Sequence, residues 1–337
     1  MVPDVHTQVH ARDVIVDAVT VRPLAGRNTS VAIERTNGGS IIKRFDSTES
    51  CSRERRLVAD LLTQPECPLH GYVPAIDHSA PAGDDAVAIC LIRSAHSLWA
   101  LDVGRGGLDA PTASALGCIV AMLHRLAPPD WVDPADTIDL RRLWLPDLDQ
   151  FEALSLANRQ LLRLLQGSGT FQEPLEALGQ RVAMKTFIHG DLRLANVLLA
   201  VDGTDGDPQI WLIDWEAAGR GDPYRDLGAI VADLLTRWAT SMSYRSGDPA
   251  GMVAGAQIPL AAVRSFTRHM LAAYDTGRGI ATDRELVVGY TGVSLVTNAL
   301  TMGDHTSTLM GHQVLLLQLA EHCLSTPADV ARNLLGL

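Results

Sequence analysis

The sequence predicts an α+β protein: a small antiparallel sheet with one helix forms an amino-terminal lobe, and a mainly helical lobe follows it. Three observations predict this class. Short apolar runs with strand character continue up to about Ile92, apolar residues then recur with a period of about 3.6, and a short hairpin interrupts the helical part in the interval 187–214. We place the boundary near 93–101 and expect domains at 1–95 and 96–337.

The amino-terminal lobe has the turn residues and apolar runs of a sheet. The runs VIVDAVTV, SVAIER, SIIKRF and AVAICLI predict strands, the last at about 86–92. A turn at Asn37 and Gly38 predicts a hairpin that pairs SVAIER antiparallel with SIIKRF, because both residue types tolerate positive φ. The stretch STESCSRERRLVADLL offers a capping serine or threonine, early acids and apolar residues at helical spacing. One helix is therefore expected after the hairpin.

Amphipathic helices are predicted beyond the boundary. The first, with an apolar face from Leu116 to Leu126, ends at the pair Pro128 and Pro129, because proline cannot continue a helix. Further helices are predicted near 149–166, 171–184, 226–243, 258–276 and 310–336. Within the interval 187–214, the runs NVLLA and IWLID flank the polar loop VDGTDGDPQ, a pattern typical of a small hairpin.

Composition excludes several classes of function. The chain has 337 residues, of which 47% are apolar, enough for one large or two modest domains. With 28 basic against 39 acidic residues the formal charge is -11, which disfavours nucleic acid and favours cationic or neutral partners. The five cysteines include no CxxC pair, so neither a disulfide framework nor a zinc site is indicated. We expect a cytoplasmic protein without a membrane partner, because neither a signal peptide nor an unbroken apolar span of about 18 residues is evident.

The stretch FIHGDLRLANVLL, residues 187–199, sets polar side chains between two apolar runs. Asp191 and Asn196 lie five positions apart in a loop after a strand, and Asp214 ends the next strand. Phosphoryl transfer needs metal ions held by hard oxygen ligands and a carboxylate that orients the attacking hydroxyl. Since Mg²⁺ commonly uses one or two carboxylates together with substrate phosphates, Asn196 and Asp214 are sufficient protein ligands. Asp191 is then available to accept a hydrogen bond from an acceptor hydroxyl.

These motifs resemble a known family. HGDLRLANVLL followed by LIDWEAAGRGDPYRDLGAI is similar to the aminoglycoside phosphotransferase and choline kinase family, whose motif is HGDxxxxN, a hydrophobic strand ending in D, and then GDxxxDL. The match is close over roughly 187–235. The resemblance implies a protein-kinase-like fold of two lobes, ATP and Mg²⁺ as cofactors, and Asp191 as the catalytic base. It further implies that Asn196 and Asp214 bind magnesium and that Asp226 is a buried brace for the catalytic loop.

The same resemblance implies a lysine on a strand and a glutamate on the following helix. Lys43 in SIIKRF is similar to the lysine of VAIK, and Glu54 in RERRLVADLL stands where the family's glutamate would pair with it. Glu49 competes for that role. On its own, Lys43 is equally typical of a solubilising charge on an edge strand, and RERR is typical of a solvated helix face.

A loop that covers the phosphates should precede SVAIER, and that segment is PLAGRNTS. It contains Gly26 alone, so the GxGxxG pattern fails. Backbone amides and the small hydroxyls of Thr29 and Ser30 are the groups left to contact phosphate. The hinge, from Leu91 to Arg93, offers backbone groups to the base, and ATP and GTP both remain open.

Arg193 departs from the family, many of whose members have histidine at this position. A cation two residues after the catalytic aspartate would stabilise charge in the transition state, so we hypothesise that Arg193 is catalytic. A role toward the acceptor remains open. We expect His189 to support the backbone, and we expect Asp222 to cap a turn.

Three tryptophans are expected to belong to the core or to the wall of a cleft rather than to a recognition platform. They are Trp144, Trp215 and Trp238.

Three classes of acceptor remain open. An aminoglycoside would suit the acidic balance, with Asp283, Glu285 and Glu321 available for its ammonium groups. A small metabolite alcohol would need an aromatic or compact polar pocket, and aromatic residues make up only 5% of the chain. The third class is a peptide hydroxyl.

The peptide is favoured by a finer resemblance. GRNTSVAI, HGDLRLAN, IDWEAAGRGDPYRDLG and LLTRWATSM resemble the kinases of class V lanthipeptide and thioamitide biosynthesis. That resemblance implies phosphorylation of serine or threonine in a ribosomally made precursor peptide, and a separate lyase that eliminates the phosphate. A nucleotide-binding pseudokinase scaffold is the alternative of another class, and the intact set of Asp191, Asn196 and Asp214 argues against it.

Overall fold

The computed structural model describes residues 14–16, 19–24, 29–35, 38–80, 83–101, 108–128, 130–132, 134, 140–167, 169–181, 186–200, 208–244 and 248–337. The chain divides into two compact units, Met1–Ser94 and Ala95–Leu337. Gly26 and the predicted turn residue Asn37 lie outside the described residues.

The first unit contains a five-stranded antiparallel sheet whose strands follow one another in chain order. Its strands are β1 Val14–Val16, β2 Val19–Leu24, β3 Thr29–Arg35, β4 Gly38–Arg44 and β5 Ala86–Cys90. The predicted β3–β4 hairpin is confirmed, with Arg35 opposite Gly38. Gly38 therefore opens β4, with a φ of 151°, instead of occupying the turn. The run VIVDAVTV forms two strands, with Val16 opposite Val19.

The predicted helix of the first unit is α1, Thr48–Leu57, and it continues as a π-helical segment, Val58–Leu62. Ser47 caps it, because its hydroxyl accepts from the amides of the second and third helical residues. The buried face of α1 packs on the sheet through a cluster of apolar side chains. That cluster contains Phe45, Cys51 and Val87, with Ile76 and Ile89 beside them.

The second unit is mainly helical. Its helices are α2 Ala110–Leu123, α3 Leu148–Ala153, α4 Leu156–Gly167, α5 Gln172–Arg181, α6 Pro223–Thr240, α7 Pro249–Ala254, α8 Leu260–Arg278, α9 Arg284–Gly303, α10 Gly311–Ser325 and α11 Pro327–Asp329. Its strands are β6 Ala95–Ser97, β7 Thr186–Ile188, β8 Val197–Ala200, β9 Ile210–Leu212 and β10 Gly219–Gly221. The amphipathic stretches all correspond to helices, although the stretch 149–166 is divided between α3 and α4.

Helix α9 was not predicted from the sequence. It is buried around most of its circumference, so its apolar residues show no single-faced period, and its glycines and β-branched residues lower its helix propensity. By length and composition α9 could cross a membrane, but 67% of its apolar window is buried inside the protein. That burial is typical of a core helix.

Two small sheets position the polar stretch of the sequence. Strands β8 and β9 form the predicted hairpin, and β6 pairs with the other edge of β8. Strand β7 pairs with β10, with Ile188 opposite Gly219. The segment 189–196, which joins β7 to β8 and which we call the HGD loop, is therefore fixed at both ends by strands.

Helices α2 and α8 cross closely in this unit. A β-carbon built at Gly117 of α2 would overlap the backbone carbonyl of Met270 in α8, so the close approach requires glycine. Helix α6 is buried on nearly all sides and packs against α9. The side chains that support the HGD loop, described below, belong to these two helix pairs or directly follow them.

Candidate active site

The second residue of the HGD loop must be glycine. Gly190 has a φ of 80°, in the left-handed region that side chains rarely adopt. A β-carbon at this position would also overlap the carbonyl oxygen of Ala217. The loop can therefore lie against the turn at residues 213–217 only with glycine at this point.

Asp191 and Asn196 are linked directly. The Asn196 side-chain amide donates to the Asp191 backbone oxygen at 2.8 Å and to its carboxylate at 3.3 Å. Between them, the Arg193 amide donates to the Asp191 carbonyl and the Arg193 carbonyl accepts from the Asn196 amide, both at 2.9 Å. These bonds occupy the nitrogen of the Asn196 side chain, so its oxygen is the atom that can act as a ligand.

Asp214 lies beside Asn196 at one end of the β8–β9 hairpin. The Ile213 amide donates to the Asn196 carbonyl at 3.0 Å, and Asp214 follows directly with a φ of 68°. Left-handed backbone outside glycine is uncommon and often marks a functional position. The structure thus brings three predicted residues together: Asp191, Asn196 and Asp214.

Glu216 adds an acid that the sequence analysis missed. The carboxylate oxygens of Asp214 and Glu216 lie within 4.8 Å of each other. The sequence feature that could have identified Glu216 is its position two residues after Asp214 in IDWE. These two carboxylates and the side-chain oxygen of Asn196 are all hard oxygen donors, and that donor chemistry fits Mg²⁺.

Asp226, in the first turn of α6, holds the start of the HGD loop. Its two carboxylate oxygens accept from the backbone amides of His189 at 2.8 Å and Gly190 at 3.0 Å. The Nε2 of His124 lies 3.1 Å from the same carboxylate. We call this arrangement the amino-terminal brace. Burial by itself would raise the pKa of Asp226, but the bond and charge of His124, with the charge and amide of His189, outweigh it and lower the pKa.

Asp233 holds the other end of the loop and was also missed. Its carboxylate accepts from the Leu194 amide at 2.9 Å and from the Asn298 side chain at 3.0 Å. We call this the carboxyl-terminal brace. Asp226 and Asp233 are seven residues apart, which places them two turns apart on one face of α6. This spacing is the feature of the sequence that could have identified Asp233. Burial raises the pKa of Asp233 even though Arg193, the Leu194 amide and Asn298 oppose it.

Arg193 lies next to the carboxyl-terminal brace, because it directly precedes Leu194, whose amide donates to Asp233. Its positive charge opposes the rise in the pKa of Asp233. Its Nε is buried and has no hydrogen-bond partner among the described residues. The negative charge of the Asp191 carboxylate contributes to raising the pKa of Asp233. Arg193 therefore provides positive charge in a region that contains two carboxylates.

His189 and Asp222 have the structural roles expected of them. The Nε2 of His189 lies 2.9 Å from the Ile213 carbonyl, and its ring centroid is 4.5 Å from that of Trp215. Asp222 caps α6 by accepting from the Tyr224 amide at 3.0 Å. Trp215 is buried in the core, as are the other two tryptophans predicted there, Trp144 and Trp238.

Lys43 and Glu54 form a shielded ion pair within the first unit. Their charged atoms are 2.8 Å apart, and their side chains are 11% and 3% exposed. The Lys43 ammonium also lies 4.4 Å from the centre of the Phe45 ring. Glu49, the competing acid, is exposed and lies 4.0 Å from Arg53. The predicted pairing of lysine with Glu54 is thus present.

Two of the other residues expected to bind the nucleotide lie on β3 of the same sheet. Ser30 is directly opposite Lys43, and Thr29 is opposite Arg44. The Leu91 amide donates to the Gly39 carbonyl at 2.9 Å, so that N–H is already engaged. Arg93 donates to the carbonyl of Gly38 at 2.8 Å.

The acids considered for ammonium recognition have other contacts. Asp283 caps α9 and pairs with Arg181 at 2.8 Å. Glu321 accepts from the Thr170 hydroxyl at 2.7 Å, while Glu285 is exposed. Two of the three acids therefore make structural hydrogen bonds.

An aspartate held at both ends of its loop, an adjoining asparagine and an aspartate after the next strand are the features that the family resemblance implied for a phosphotransferase. The chain belongs to the phosphotransferase enzyme family that includes aminoglycoside phosphotransferases, whose sequence profile matches residues 20–251. No curated protein matches the sequence. The protein is an enzyme that transfers phosphoryl groups to hydroxyls.

Solved structures share its fold at low identity. A microcompartment-associated aminopropanol kinase is 19% identical, with 96% of this chain and 95% of that chain covered and a TM-score of 0.56. An ethanolamine kinase from Plasmodium vivax is 12% identical, with 90% and 82% covered and a TM-score of 0.54. A spectinomycin phosphotransferase in complex with ADP and spectinomycin is 13% identical, with 93% and 94% covered and a TM-score of 0.53. The predicted α+β, protein-kinase-like fold is confirmed.

Proposed function

We propose that the protein transfers the terminal phosphoryl group of ATP to an alcohol, with Asp191 as the base. The observation that carries this proposal is the fixed position of Asp191 between two braced ends of its loop, with Asn196 bonded to it. Asp191 accepts the proton of the acceptor hydroxyl, whose oxygen bonds to the γ-phosphorus while the bond to the β,γ-bridging oxygen breaks. ADP and a phosphate ester are the products.

Asn196, Asp214 and Glu216 would hold Mg²⁺. A bound magnesium ion would compensate the charge of the phosphates. The contribution of the chain is to set these oxygen donors at one end of a rigid hairpin, beside the loop that carries the base.

We assign the nucleotide contacts to the first unit, following the family resemblance. Glu54 orients the Lys43 ammonium for a phosphate oxygen, and their shielding from solvent strengthens that orientation. Ser30, Thr29 and Gly26 are the proposed contacts in and after the phosphate loop. Because the Leu91 amide is engaged by Gly39, the nucleotide base would have to use other backbone groups between Leu91 and Arg93.

For the acceptor we propose a serine or threonine hydroxyl of a precursor peptide. Arg193 supplies a resident cation next to Asp191 and Asp233, which favours an acceptor without an ammonium group beside its hydroxyl. A separate lyase that eliminates the phosphate would then be the partner enzyme. The second candidate is a small amino alcohol, and it is favoured by the fold shared with the aminopropanol and ethanolamine kinases.

A panel of acceptors tests the reaction directly. The enzyme is incubated with Mg²⁺ and ATP and with serine- or threonine-containing peptides, ethanolamine, aminopropanol, choline or spectinomycin, and each acceptor is weighed by mass spectrometry. We expect a gain of one phosphate on peptide, and Asp191→Asn should reduce that transfer by about 10²–10⁴-fold while ATP still binds. Phosphate on the amino alcohols alone would replace the peptide assignment. Full transfer by Asp191→Asn would remove the proposed base.

Arg193 is proposed to stabilise charge on the transferred phosphoryl group. Arg193→Ala should lower kcat by about 10–100-fold and leave the acceptor KM unchanged. Arg193→Lys is the matched control, since it keeps a positive charge near Asp233 and should retain more activity than alanine. A raised acceptor KM with an unchanged kcat would instead place Arg193 in acceptor binding.

A further inference from the structure

His124, directly after α2, is fully buried and has a partner at each ring nitrogen. Its Nε2 lies 3.1 Å from the Asp226 carboxylate, and its Nδ1 lies 2.8 Å from the hydroxyl of Tyr274 in α8. The two residues are 102 and 150 positions away along the chain. The ring thus connects the amino-terminal brace to α8.

The chemistry of these groups fixes which atom donates. The Asp226 carboxylate can only accept, so the His124 Nε2 carries the proton in that bond. The Nδ1 of the same ring is hydrogen-bonded to the Tyr274 hydroxyl, so the ring has a side-chain partner at each nitrogen. Burial raises the pKa of Tyr274, so this hydroxyl keeps its proton in the neutral range. Tyr274 therefore holds the imidazole in the orientation in which its Nε2 donates to Asp226.

His124 is also held by its backbone. Its carbonyl accepts from the Thr186 hydroxyl in β7 and from the guanidinium of Arg278 at the end of α8. The close crossing of α2 and α8 at Gly117 keeps the histidine and Tyr274 on facing helices. With its backbone fixed in this way, the orientation of the ring is set by its two side-chain partners, Asp226 and Tyr274.

We propose that Tyr274 is a positioning residue for the phosphotransfer reaction and acts on Asp191 through His124 and Asp226. The hydroxyl of Tyr274 orders the imidazole, the imidazole supports the carboxylate of Asp226, and that carboxylate holds the two amides directly before Asp191. This inference rests on the proposed role of Asp191. Tyr274 does not touch the reacting atoms and is not a catalytic residue.

The first experiment compares Tyr274→Phe with Tyr244→Phe. Both variants lose one hydroxyl and keep the ring, and the Tyr244 hydroxyl bonds to the Ala239 carbonyl at 2.8 Å, without a connection to either brace. Amide hydrogen exchange is followed by mass spectrometry in a peptide covering 186–196, without nucleotide or acceptor. We expect faster exchange in that peptide for Tyr274→Phe and no change for Tyr244→Phe. Equal exchange in both variants and the parent would overturn the proposal.

Kinetics give the second readout. Tyr274→Phe should lower kcat by about three- to tenfold, the size expected for one hydrogen bond, with the ATP KM unchanged. In a His124→Leu background the same substitution should cause no further loss, because the group through which it acts is gone. A further three- to tenfold loss in that background would show that Tyr274 acts by another route.

Failure of this inference can be distinguished from failure of the proposed function. If Asp191→Asn keeps full transfer, the assigned base is wrong, whereas the exchange experiment still reports whether Tyr274 orders the HGD loop. If Asp191→Asn is inactive but Tyr274→Phe leaves both exchange and kcat at the parent values, the positioning role alone is wrong.

Discussion

The two braces of the HGD loop use the same chemical group in equally buried positions and reach opposite electrostatic outcomes. Asp226 receives two backbone amides and an imidazole, and its pKa is lowered. Asp233 receives one backbone amide and one side-chain amide, and its pKa is raised. A buried carboxylate is therefore stabilised as an anion only where enough donors and positive charge replace the water it has lost.

The two braces also differ in how close along the chain they act to Asp191, the proposed base. The amino-terminal brace holds the residues directly before Asp191, and any movement there displaces the base. The carboxyl-terminal brace holds Leu194, three residues later and beside Arg193. We therefore expect changes at the first brace to reduce catalysis and stability more than changes at the second.

The largest effect is expected from Gly190→Ala, which disturbs the backbone that the amino-terminal brace holds. The added β-carbon meets the Ala217 carbonyl at a positive φ, so the loop must move away from Asp226. We expect kcat to fall by more than about 10²-fold, since small misplacements of a catalytic group have that effect. The free energy of unfolding should fall by about 2–4 kcal/mol, measured by denaturant titration.

Gly169→Ala is the control for that substitution. Gly169 also has a positive φ, 63°, but no atom lies within 4 Å of its β-carbon position. The control should lower stability by about 1 kcal/mol through backbone strain and leave kcat unchanged. If Gly190→Ala resembled the control in both measurements, the loop would not depend on its contact with residue 217.

The next effect compares the braces themselves, with Asp226→Asn against Asp233→Asn. At pH 7 we expect Asp226→Asn to lower the free energy of unfolding by about 3 kcal/mol, because the new amide places an NH₂ group against backbone donors. Asp233→Asn should lower it by about 1 kcal/mol, because removing that charge also removes an unfavourable burial. Denaturant titrations of both variants measure the difference.

The same pair predicts opposite pH dependences. The lowered pKa of Asp226 means that its stabilisation is present above the unfolded pKa of about 4 and is lost as pH falls through the folded value. The raised pKa of Asp233 means that its stabilisation is present below about pH 4 and is lost as pH rises through the folded value. The loss caused by Asp226→Asn should therefore shrink in acid, whereas that caused by Asp233→Asn should shrink toward neutral pH. Parallel curves for the two variants would contradict this contrast.

The sequence predicted what is local in the site and missed what is distant. Asp191, Asn196 and Asp214 lie in one continuous stretch, and the family resemblance implied the pairing of Lys43 with Glu54. The side chains that support the two brace carboxylates come from distant parts of the chain. His124 precedes Asp226 by 102 residues, and no periodic pattern records that contact.

Helix packing explains the remaining differences. Asn298 lies on α9, which was not predicted because burial on most sides removes the one-faced apolar period. Asp233 was consequently not identified from the sequence as a support of the HGD loop. The hydrogen bond from the Leu91 amide to the Gly39 carbonyl could not be predicted either, since a sequence does not record where a backbone N–H points.

The smallest effect is expected from Asn298→Ala, which removes an outer support of the carboxyl-terminal brace. Its side-chain amide donates to Asp233 and to the Thr236 hydroxyl, each at 3.0 Å. We expect a loss of about 1–2 kcal/mol in the free energy of unfolding and a two- to fivefold loss in kcat, since Asp233 keeps its bond to the Leu194 amide.

Asn158→Ala is the matched control for Asn298→Ala. Asn158 also donates twice across a contact with α9, to the Leu300 carbonyl and to the Asp304 carboxylate, both at 2.9 Å. It is fully buried, so its replacement should destabilise the protein at least as much without changing kcat. If both variants lost stability and kept full kcat, the carboxyl-terminal brace would serve folding alone, and only the amino-terminal brace would position the base.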